Sequence, residues 1–128
     1  MKFHHVGYLT NNINKSIKEF TKINYKKKGN LYDDKKLLVK VQFIINSNNI
    51  IELVKPYKKN YNLQEFIKKD FFAYHFAYKV KNLNKAIKKL TINNFKLIVN
   101  PVPAKAFNNK NVAFLKMKNN FIIELVEE

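Results

Sequence analysis

Two histidines and two glutamates occur at matched positions in this chain and have the side chains that bind metal ions. The tetrapeptide Ile-Glu-Leu-Val occurs twice, with its glutamate at Glu52 and at Glu124. His5 precedes Glu52 by 47 residues, and His75 precedes Glu124 by 49 residues. A carboxylate inside an apolar, strand-like run is costly unless it has a partner. Two imidazoles and two carboxylates suit a borderline divalent ion, so we expect these four residues to hold one Zn²⁺, Ni²⁺, Co²⁺ or Mn²⁺ ion.

The matched spacing belongs to an internal duplication. When the chain is shifted by 70 residues, residues 4–26 fall on residues 74–96 and ten of the 23 pairs are identical. Six of these identities are Asn or Lys pairs, which carry little information in a chain rich in both residues. The duplication is therefore inferred from the repeated tetrapeptide and from four informative pairs, which are His5 with His75, Tyr8 with Tyr78, Ile17 with Ile87, and Thr21 with Thr91.

The composition is typical of one ordinary globular domain. The chain has 128 residues, of which 46% are hydrophobic, and it contains no cysteine, so disulfides and thiolate chemistry are excluded. No apolar stretch approaches the ~20 residues that span a membrane. A strand-like run begins at Phe3 without a secretory signal pattern, so a cytoplasmic location is expected.

The net charge of +16 does not by itself indicate a nucleic-acid-binding protein. All 25 basic residues are lysines, and arginine supplies the bidentate fork used for base and phosphate recognition. The lysines are spread along every segment rather than gathered in one patch. We interpret them as solvated surface residues that also attract a small anionic substrate.

The hydrophobic pattern predicts the same element order in both halves of the chain. In the first half it predicts a strand, a helix and three strands. A link at residues 57–72 contains a short helix, and the order then restarts. The expected strands cover residues 3–9, 25–28, 37–45, 50–54, 74–80, 95–99, 112–117 and 121–126, the helices cover residues 13–22, 63–69 and 82–90, and a loop covers residues 100–109.

Strand alternation separates the histidines from their neighbours. In the first strand Phe3, His5 and Gly7 share one face, so His4 points away from the predicted metal. Tyr8 and Tyr78 lie on the face opposite the histidines and are interpreted as packing residues. Gly7 matches Ala77, and small residues there let the sheet or a substrate approach closely.

The chain resembles the vicinal oxygen chelate superfamily, which includes glyoxalase I, methylmalonyl-CoA epimerase, extradiol dioxygenases and the bleomycin and fosfomycin resistance proteins. The resemblance is carried by His5-Val6-Gly7-Tyr8, Ile51-Glu52-Leu53-Val54, His75-Phe76-Ala77-Tyr78 and Ile123-Glu124-Leu125-Val126. It is closest in appearance to the epimerase-like members. With the repeated element order, it implies an α+β fold in which two tandem βαβββ modules form one curved, mostly antiparallel eight-stranded sheet around a metal cleft. Residues 1–128 are expected to form a single domain, with modules at about residues 1–56 and 73–128.

The resemblance implies that His5, Glu52, His75 and Glu124 are the metal ligands of an isomerase, epimerase or glyoxalase-like lyase. Such an enzyme transfers a proton alpha to a carbonyl of a small substrate, with thioesters among the candidates. A glyoxalase-like mechanism implies Glu124 as the base, with Glu52 second. Epimerases of the best-known type use a further carboxylate, but residues 37–45 contain only Gln42 and no acid. The remaining candidates are the loop acids Asp33 and Asp34.

Two other functions of the same fold stay open at this point. A binding protein that sequesters a small molecule is one, although such members typically lack the complete metal set. A ring-cleaving dioxygenase is the other, and it usually has two histidines and one glutamate on iron. The expected partners are a small anionic substrate and a second copy of the chain in a homodimer, with no specific nucleic acid and no membrane.

Overall fold

The computed structural model describes all residues from Met1 to Glu128 and contains eight strands and three α-helices. Their order confirms the predicted succession of two βαβββ modules joined by a short helix. The elements are β1 (Lys2–Leu9), α1 (Ile13–Thr21), β2 (Lys26–Asp34), β3 (Val39–Asn46), β4 (Asn49–Pro56), α2 (Tyr61–Lys68), β5 (Ala73–Val80), α3 (Leu83–Ile92), β6 (Lys96–Pro103), β7 (Asn111–Lys116) and β8 (Ile122–Glu127), with a short 3₁₀ helix (Lys105–Phe107) between β6 and β7.

The strands are ordered β2-β3-β4-β1-β5-β8-β7-β6 in a mixed eight-stranded sheet. Strand β1 pairs with β4 in parallel, and β5 pairs with β8 in the same way. The pairs β2–β3, β3–β4, β6–β7 and β7–β8 are antiparallel. The predicted α+β class and the mostly antiparallel sheet are therefore confirmed.

The chain forms two compact units. The N-terminal unit comprises His5–Tyr74, and the C-terminal unit comprises Met1–His4 together with His75–Glu128. Each unit has the same internal topology, in which the first and last strands of the module are parallel and the remaining pairs are antiparallel. This repeated topology is what the internal duplication predicts. The assignment of residues 1–128 to one domain stays a prediction.

Asparagine residues are the N-caps of two helices, at equivalent positions of the duplication. The Asn12 side chain accepts a hydrogen bond from the Lys15 amide at the start of α1, and Asn82 accepts one from the Lys85 amide at the start of α3. These bonds satisfy amides that have no partner within the helix. The helices therefore begin where the sequence predicts, within one residue.

The C-terminal unit has an apolar core between α3 and the sheet. Leu83 and Ala86 are the buried residues of α3, and they pack against inward-facing residues of three strands. Burial of these side chains is the main favourable term for docking the helix. The remaining buried members of this core are Val80, Ala113, Leu115, Ile123 and Leu125.

Strand β2 is longer than predicted. The sequence suggested that Gly29 ends a short strand, but β2 continues to Asp34. The pairing of β2 with β3 shifts register between Lys28 and Tyr32, and Gly29 has φ +73° within this irregularity. Glycine adopts this backbone conformation without steric cost, so it allows a bulge where the sequence pattern suggested an end.

The predicted loop at residues 100–109 is partly wrong, because β6 continues through Pro101 to Pro103. Proline lacks the amide proton of a ladder hydrogen bond, which is why the sequence favoured a loop. Strand β6 is the last strand in the sheet order, where one side needs no partner, and its register with β7 shifts twice. An irregular edge strand tolerates proline.

None of the three helices is both long enough and apolar enough to cross a membrane.

Candidate metal centre

The first histidine–glutamate pair lies on two adjacent parallel strands of the N-terminal unit. Strand β1 carries His5 and β4 carries Glu52, whose backbone partner in the register is Gly7. The His5 Nε2 atom lies 3.6 Å from Glu52 Oε1. His5 is 0% exposed and Glu52 is 6% exposed, so the pair is excluded from solvent.

The second pair repeats this arrangement in the C-terminal unit. Strand β5 carries His75 and β8 carries Glu124, whose partner in the register is Ala77. The His75 Nε2 atom lies 3.1 Å from Glu124 Oε2, and the two residues are 0% and 3% exposed. In both units the histidine therefore stands two residues before a small residue that faces the glutamate across the ladder. A small residue between them leaves room for both longer side chains.

Each pair is held on its face by strand alternation. In β8, Ile123 and Leu125 belong to the apolar core beneath α3, so Glu124 between them projects to the other face. In β1 the odd-numbered residues from His5 to Leu9 are buried, and the residues between them are half-buried. The apolar neighbours thus fix the direction of the polar side chains.

A phenylalanine contacts the histidine ring in each unit, and sequence reasoning did not identify either one. The His5 and Phe43 ring centroids are 5.4 Å apart, with an interplanar angle of 74°. Those of His75 and Phe114 are 5.8 Å apart, with an angle of 82°. Each phenylalanine is also the cross-strand partner of its unit's glutamate. The sequence feature that could have identified them is their similar position in the strand before each copy of Ile-Glu-Leu-Val.

The donor set fits a divalent cation. His5 with Glu52, and His75 with Glu124, are pairs of buried donor side chains of the kind that holds a metal ion. Within each pair, a nitrogen and an oxygen are 3.1 or 3.6 Å apart. Two ligands at zinc-like bond lengths are separated by about 3.0 to 3.5 Å, so each pair needs little movement to bind one ion. Buried carboxylates need a compensating positive charge, which a cation supplies.

His4 differs from its neighbour His5, as predicted. It is only half-buried, and its ring makes an edge contact with Phe107 at a centroid distance of 5.5 Å. Tyr8 packs against Phe20 with ring centroids 5.3 Å apart, in agreement with its interpretation as a packing residue.

Gln42 of β3 and the two acids considered as additional bases have other contacts. Buried Gln42 donates hydrogen bonds to the carbonyl oxygens of Lys28, Gly29 and Phe43, and so supports the bulge in β2. Asp34 accepts hydrogen bonds from the amides of Lys36 and Leu37 and stabilises the turn after β2. This side chain therefore has a local structural role.

Asp33 accepts a hydrogen bond from the Tyr57 hydroxyl. This bond raises the pKa of Tyr57, and burial and the negative charges of Asp33 and Asp34 raise it further. In the register, Asp33 faces Lys40, three residues along β3 from Phe43, which faces Glu52. The prediction that Asp33 and Asp34 lie in a loop is wrong, because they are the last two residues of β2 and pair with Lys40 and Val39. They thus lie at the end of the strand pair, away from Glu52 in the middle of β4.

Comparison with known proteins identifies a sequence family. The sequence model of the glyoxalase/bleomycin resistance protein/dioxygenase superfamily matches residues 4–126. The comparison with curated proteins found no match.

Several solved structures share the fold. The hypothetical protein BH1468 from Bacillus halodurans C-125 is 25% identical with a TM-score of 0.84, over 99% of this chain and 94% of that protein. Methylmalonyl-CoA epimerase from Mycobacterium tuberculosis is 17% identical with a TM-score of 0.83, over 98% and 87%. A methylmalonyl-CoA epimerase in complex with methylmalonyl-CoA and NH₄⁺ is 14% identical with a TM-score of 0.82, over 99% and 94%. The similarity to the two epimerases concerns the fold alone.

Proposed function

The chain belongs to the glyoxalase/bleomycin resistance protein/dioxygenase superfamily, and on this premise we propose that it is a divalent-metal-dependent isomerase, epimerase or glyoxalase-like lyase. The proposed reaction moves a proton on the carbon next to a carbonyl group of a small substrate. The observation that carries the proposal is the buried histidine–glutamate pair that recurs at equivalent positions of both units.

The proposed ligands are His5, Glu52, His75 and Glu124, all bound to one ion of Zn²⁺, Ni²⁺, Co²⁺ or Mn²⁺. Two neutral imidazoles and two carboxylates balance the charge of a divalent ion, which makes its burial tolerable. Phe43 and Phe114 restrict the rotation of the histidine rings and so keep Nε2 directed at the paired carboxylate. When bound, the ion supplies Lewis acidity that polarises a substrate carbonyl.

Glu124 is the proposed base. Its carboxylate accepts the proton from the carbon beside the carbonyl and returns it to the same or to the neighbouring carbon. Glu52, in the equivalent position of the N-terminal unit, is the second candidate. The contacts of Asp33 and Asp34 make these residues weaker candidates.

The proposed substrate class is a small anionic carbonyl compound, with acyl thioesters as the first class to test. A net charge of +16 attracts anions toward the protein. An epimerase of the same fold has been solved with methylmalonyl-CoA, a thioester that carries a carboxylate and phosphates. A homodimer is the proposed assembly.

The decisive experiment measures metal content and proton exchange on the same preparation. The purified protein should contain one divalent ion per chain by elemental analysis, and the metal-loaded protein should incorporate solvent deuterium alpha to the carbonyl of a suitable thioester. Two ions per chain would contradict a shared site. If the metal-loaded protein exchanges no proton in any acyl thioester or α-hydroxy carbonyl tested, a small-molecule binding protein is favoured instead. Iron-dependent ring cleavage would favour a dioxygenase.

A further inference from the structure

The C-terminal unit contains an apolar cavity of about 470 Å³ that the proposed reaction does not use. This volume lies within the range of small-molecule sites, which is about 300–1,000 Å³. The walls are almost entirely apolar. Asn119 is the one lining residue with an amide side chain, and the others are aliphatic, aromatic or methionine. The principal lining residues are Phe76, Tyr78, Leu90, Phe95, Met117 and Ile123.

The cavity lies on the opposite face of the sheet from the metal ligands of the same unit. Phe76 follows His75 in β5, and Ile123 precedes Glu124 in β8. Successive residues of a strand point to opposite faces, so the cavity and the histidine–glutamate pair are separated by the sheet itself. The cavity is therefore a space separate from the proposed metal centre.

The internal duplication provides a comparison for this space. Shifting the chain by 70 residues places Tyr8, Phe20 and Tyr25 of the N-terminal unit on Tyr78, Leu90 and Phe95. In the N-terminal unit the three rings pack together, with centroids 5.3 Å apart for Tyr8–Phe20 and 5.5 Å apart for Phe20–Tyr25.

In the C-terminal unit the central ring of this edge-to-face cluster is replaced by the smaller Leu90. Proteins normally fill such spaces, because an apolar void loses dispersion contacts without any gain. The C-terminal unit thus has a leucine at the position of a phenylalanine in the N-terminal unit, and a cavity of ligand size lies beside this leucine. This difference indicates a space for an apolar guest.

The mouth of the cavity has exposed apolar side chains and a lysine that is adjacent in sequence to two lining residues. Met1 is 58% exposed and Phe76 is 40% exposed, and Phe3 packs edge-on against Phe76 with ring centroids 6.1 Å apart. Exposed Lys118 lies between the lining residues Met117 and Asn119. An apolar interior beside a cationic rim is complementary to a molecule with an apolar tail and one negative charge.

We propose that this cavity binds the tail of a fatty carboxylate, with the carboxylate held at the lysine-containing rim. Transfer of the tail from water to the apolar interior drives binding, and the rim charge selects an anionic over a cationic headgroup.

The test is calorimetric titration of the full-length, metal-loaded protein with decanoate and with decylammonium, which has the same tail and the opposite charge. The wild-type protein should bind decanoate at one saturable site and bind decylammonium more weakly. Leu90→Phe, which copies the residue of the N-terminal unit, should weaken decanoate binding by about tenfold or more. Ile92→Phe, at an exposed position of the same helix, should bind decanoate like the wild type.

Lys118→Glu keeps the test decisive if Leu90→Phe folds poorly, because residue 118 is exposed. This change should weaken decanoate binding and strengthen decylammonium binding. All variants should retain the metal content of the wild type.

The proposal is overturned if decanoate shows no saturable binding, or if a correctly folded Leu90→Phe binds it as tightly as the wild type does. It is also overturned if light scattering finds a dimer of the wild-type chain that Leu90→Phe or Lys118→Glu disrupts and decanoate does not. The cavity would then be covered by a second copy.

Discussion

At the scale of single residues, the proposed chemistry of this protein depends on acidic and imidazole side chains that are buried from water. Glu52 and Glu124 are buried among apolar strand residues, and each has an imidazole nitrogen within 3.6 Å. Such an arrangement is costly in a protein that needs only stability, because apolar residues of similar volume would fill the same space without desolvated charge. The cost is explained if the side chains serve a metal-dependent function.

Replacing Glu124 by Gln should preserve the fold, because the two side chains have nearly the same shape. It should weaken metal binding and lower deuterium incorporation into substrate by about 10²- to 10⁴-fold, since a ligand charge and the proposed base are both lost. Isotope exchange followed by NMR measures the effect. Glu127→Gln, in the same strand, is the matched control. A Glu124→Gln protein with full metal content and full exchange would move the search for the base to Glu52, Asp33 and Asp34.

The two adjacent histidines allow a paired comparison. His5→Ala should lose most of the bound metal, because it removes a buried ligand, whereas His4→Ala should change metal content little. His4 is half-buried and contacts Phe107 rather than Glu52. Metal content after dialysis against a weak chelator distinguishes the two variants. Equal losses in both would argue against the predicted alternation of β1.

Tyr57 should titrate above the ordinary tyrosine pKa of about 10. The neutral hydroxyl of Tyr57 donates a hydrogen bond to Asp33. The stabilisation from this bond is therefore fully present at pH values below the pKa that Tyr57 has in the unfolded chain. It is lost as the pH rises through the higher folded-state pKa. The ultraviolet titration difference between wild type and Tyr57→Phe should therefore have its midpoint above 10. Tyr61→Phe, at an exposed position, is the control for the substitution itself. A midpoint below the ordinary value would contradict the bond.

At the scale of elements, the helices and strands act as supports that fix the direction of a few side chains. Helix α3 covers one face of the C-terminal unit's sheet, and the burial of Ile123 and Leu125 beneath it leaves Glu124 on the opposite face. The same helix carries Leu90 at the wall of the cavity. The position of α3 therefore determines both the direction of a proposed metal ligand and the volume of the proposed ligand site.

The N-cap residue of α3, Asn82, allows the contribution of this helix to stability to be tested. Asn82→Ala should lower the free energy of unfolding by about 1 kcal/mol, because the Lys85 amide loses its side-chain acceptor. Asn84→Ala, at an exposed position inside α3, should leave stability unchanged or raise it slightly, since alanine has the higher helix propensity. Urea unfolding followed by circular dichroism provides both values. A larger loss for Asn84→Ala than for Asn82→Ala would contradict the assigned start of the helix.

At the scale of the whole molecule, the dominant property is a net charge of +16 carried by lysines. Such a charge affects how fast anions arrive more than how tightly any one of them is held. Lysine-rich surfaces also give weak, salt-sensitive binding to any polyanion. The charge therefore fits steering of a small anionic substrate and does not require a nucleic-acid partner.

Raising the ionic strength should accordingly lower kcat/KM for an anionic thioester while changing kcat little, because salt screens the approach of the substrate and not the buried centre. A neutral substrate of the same class is the control and should respond weakly. Steady-state kinetics over a series of salt concentrations measures both. Tight binding to one nucleic-acid sequence at physiological salt would overturn this interpretation of the charge.

The sequence alone determined the duplication, the element order and the identity of the four candidate ligands. These features are local or repetitive: Asn12 and Asn82 cap helices through neighbouring amides, and His5 and Glu52 stand in patterns that recur at His75 and Glu124. What the sequence left open depends on strand pairing. The continuation of β6 through Pro101 required an edge position, and the bulge at Gly29 required a partner strand.

Only the tertiary structure decided which side chains touch. Phe43 and Phe114 occupy similar positions before the repeated tetrapeptide, but only the strand register shows that each lies opposite a buried glutamate and so reaches the histidine ring. Leu90 of α3 likewise lines a cavity together with residues that are distant in the sequence, whereas Phe20, at the equivalent position of the other unit, packs against Tyr8. Periodicity along a chain specifies which face a residue occupies, but packing across strands specifies its neighbours, and neighbours determine whether a buried group becomes a ligand, a support or the wall of a site.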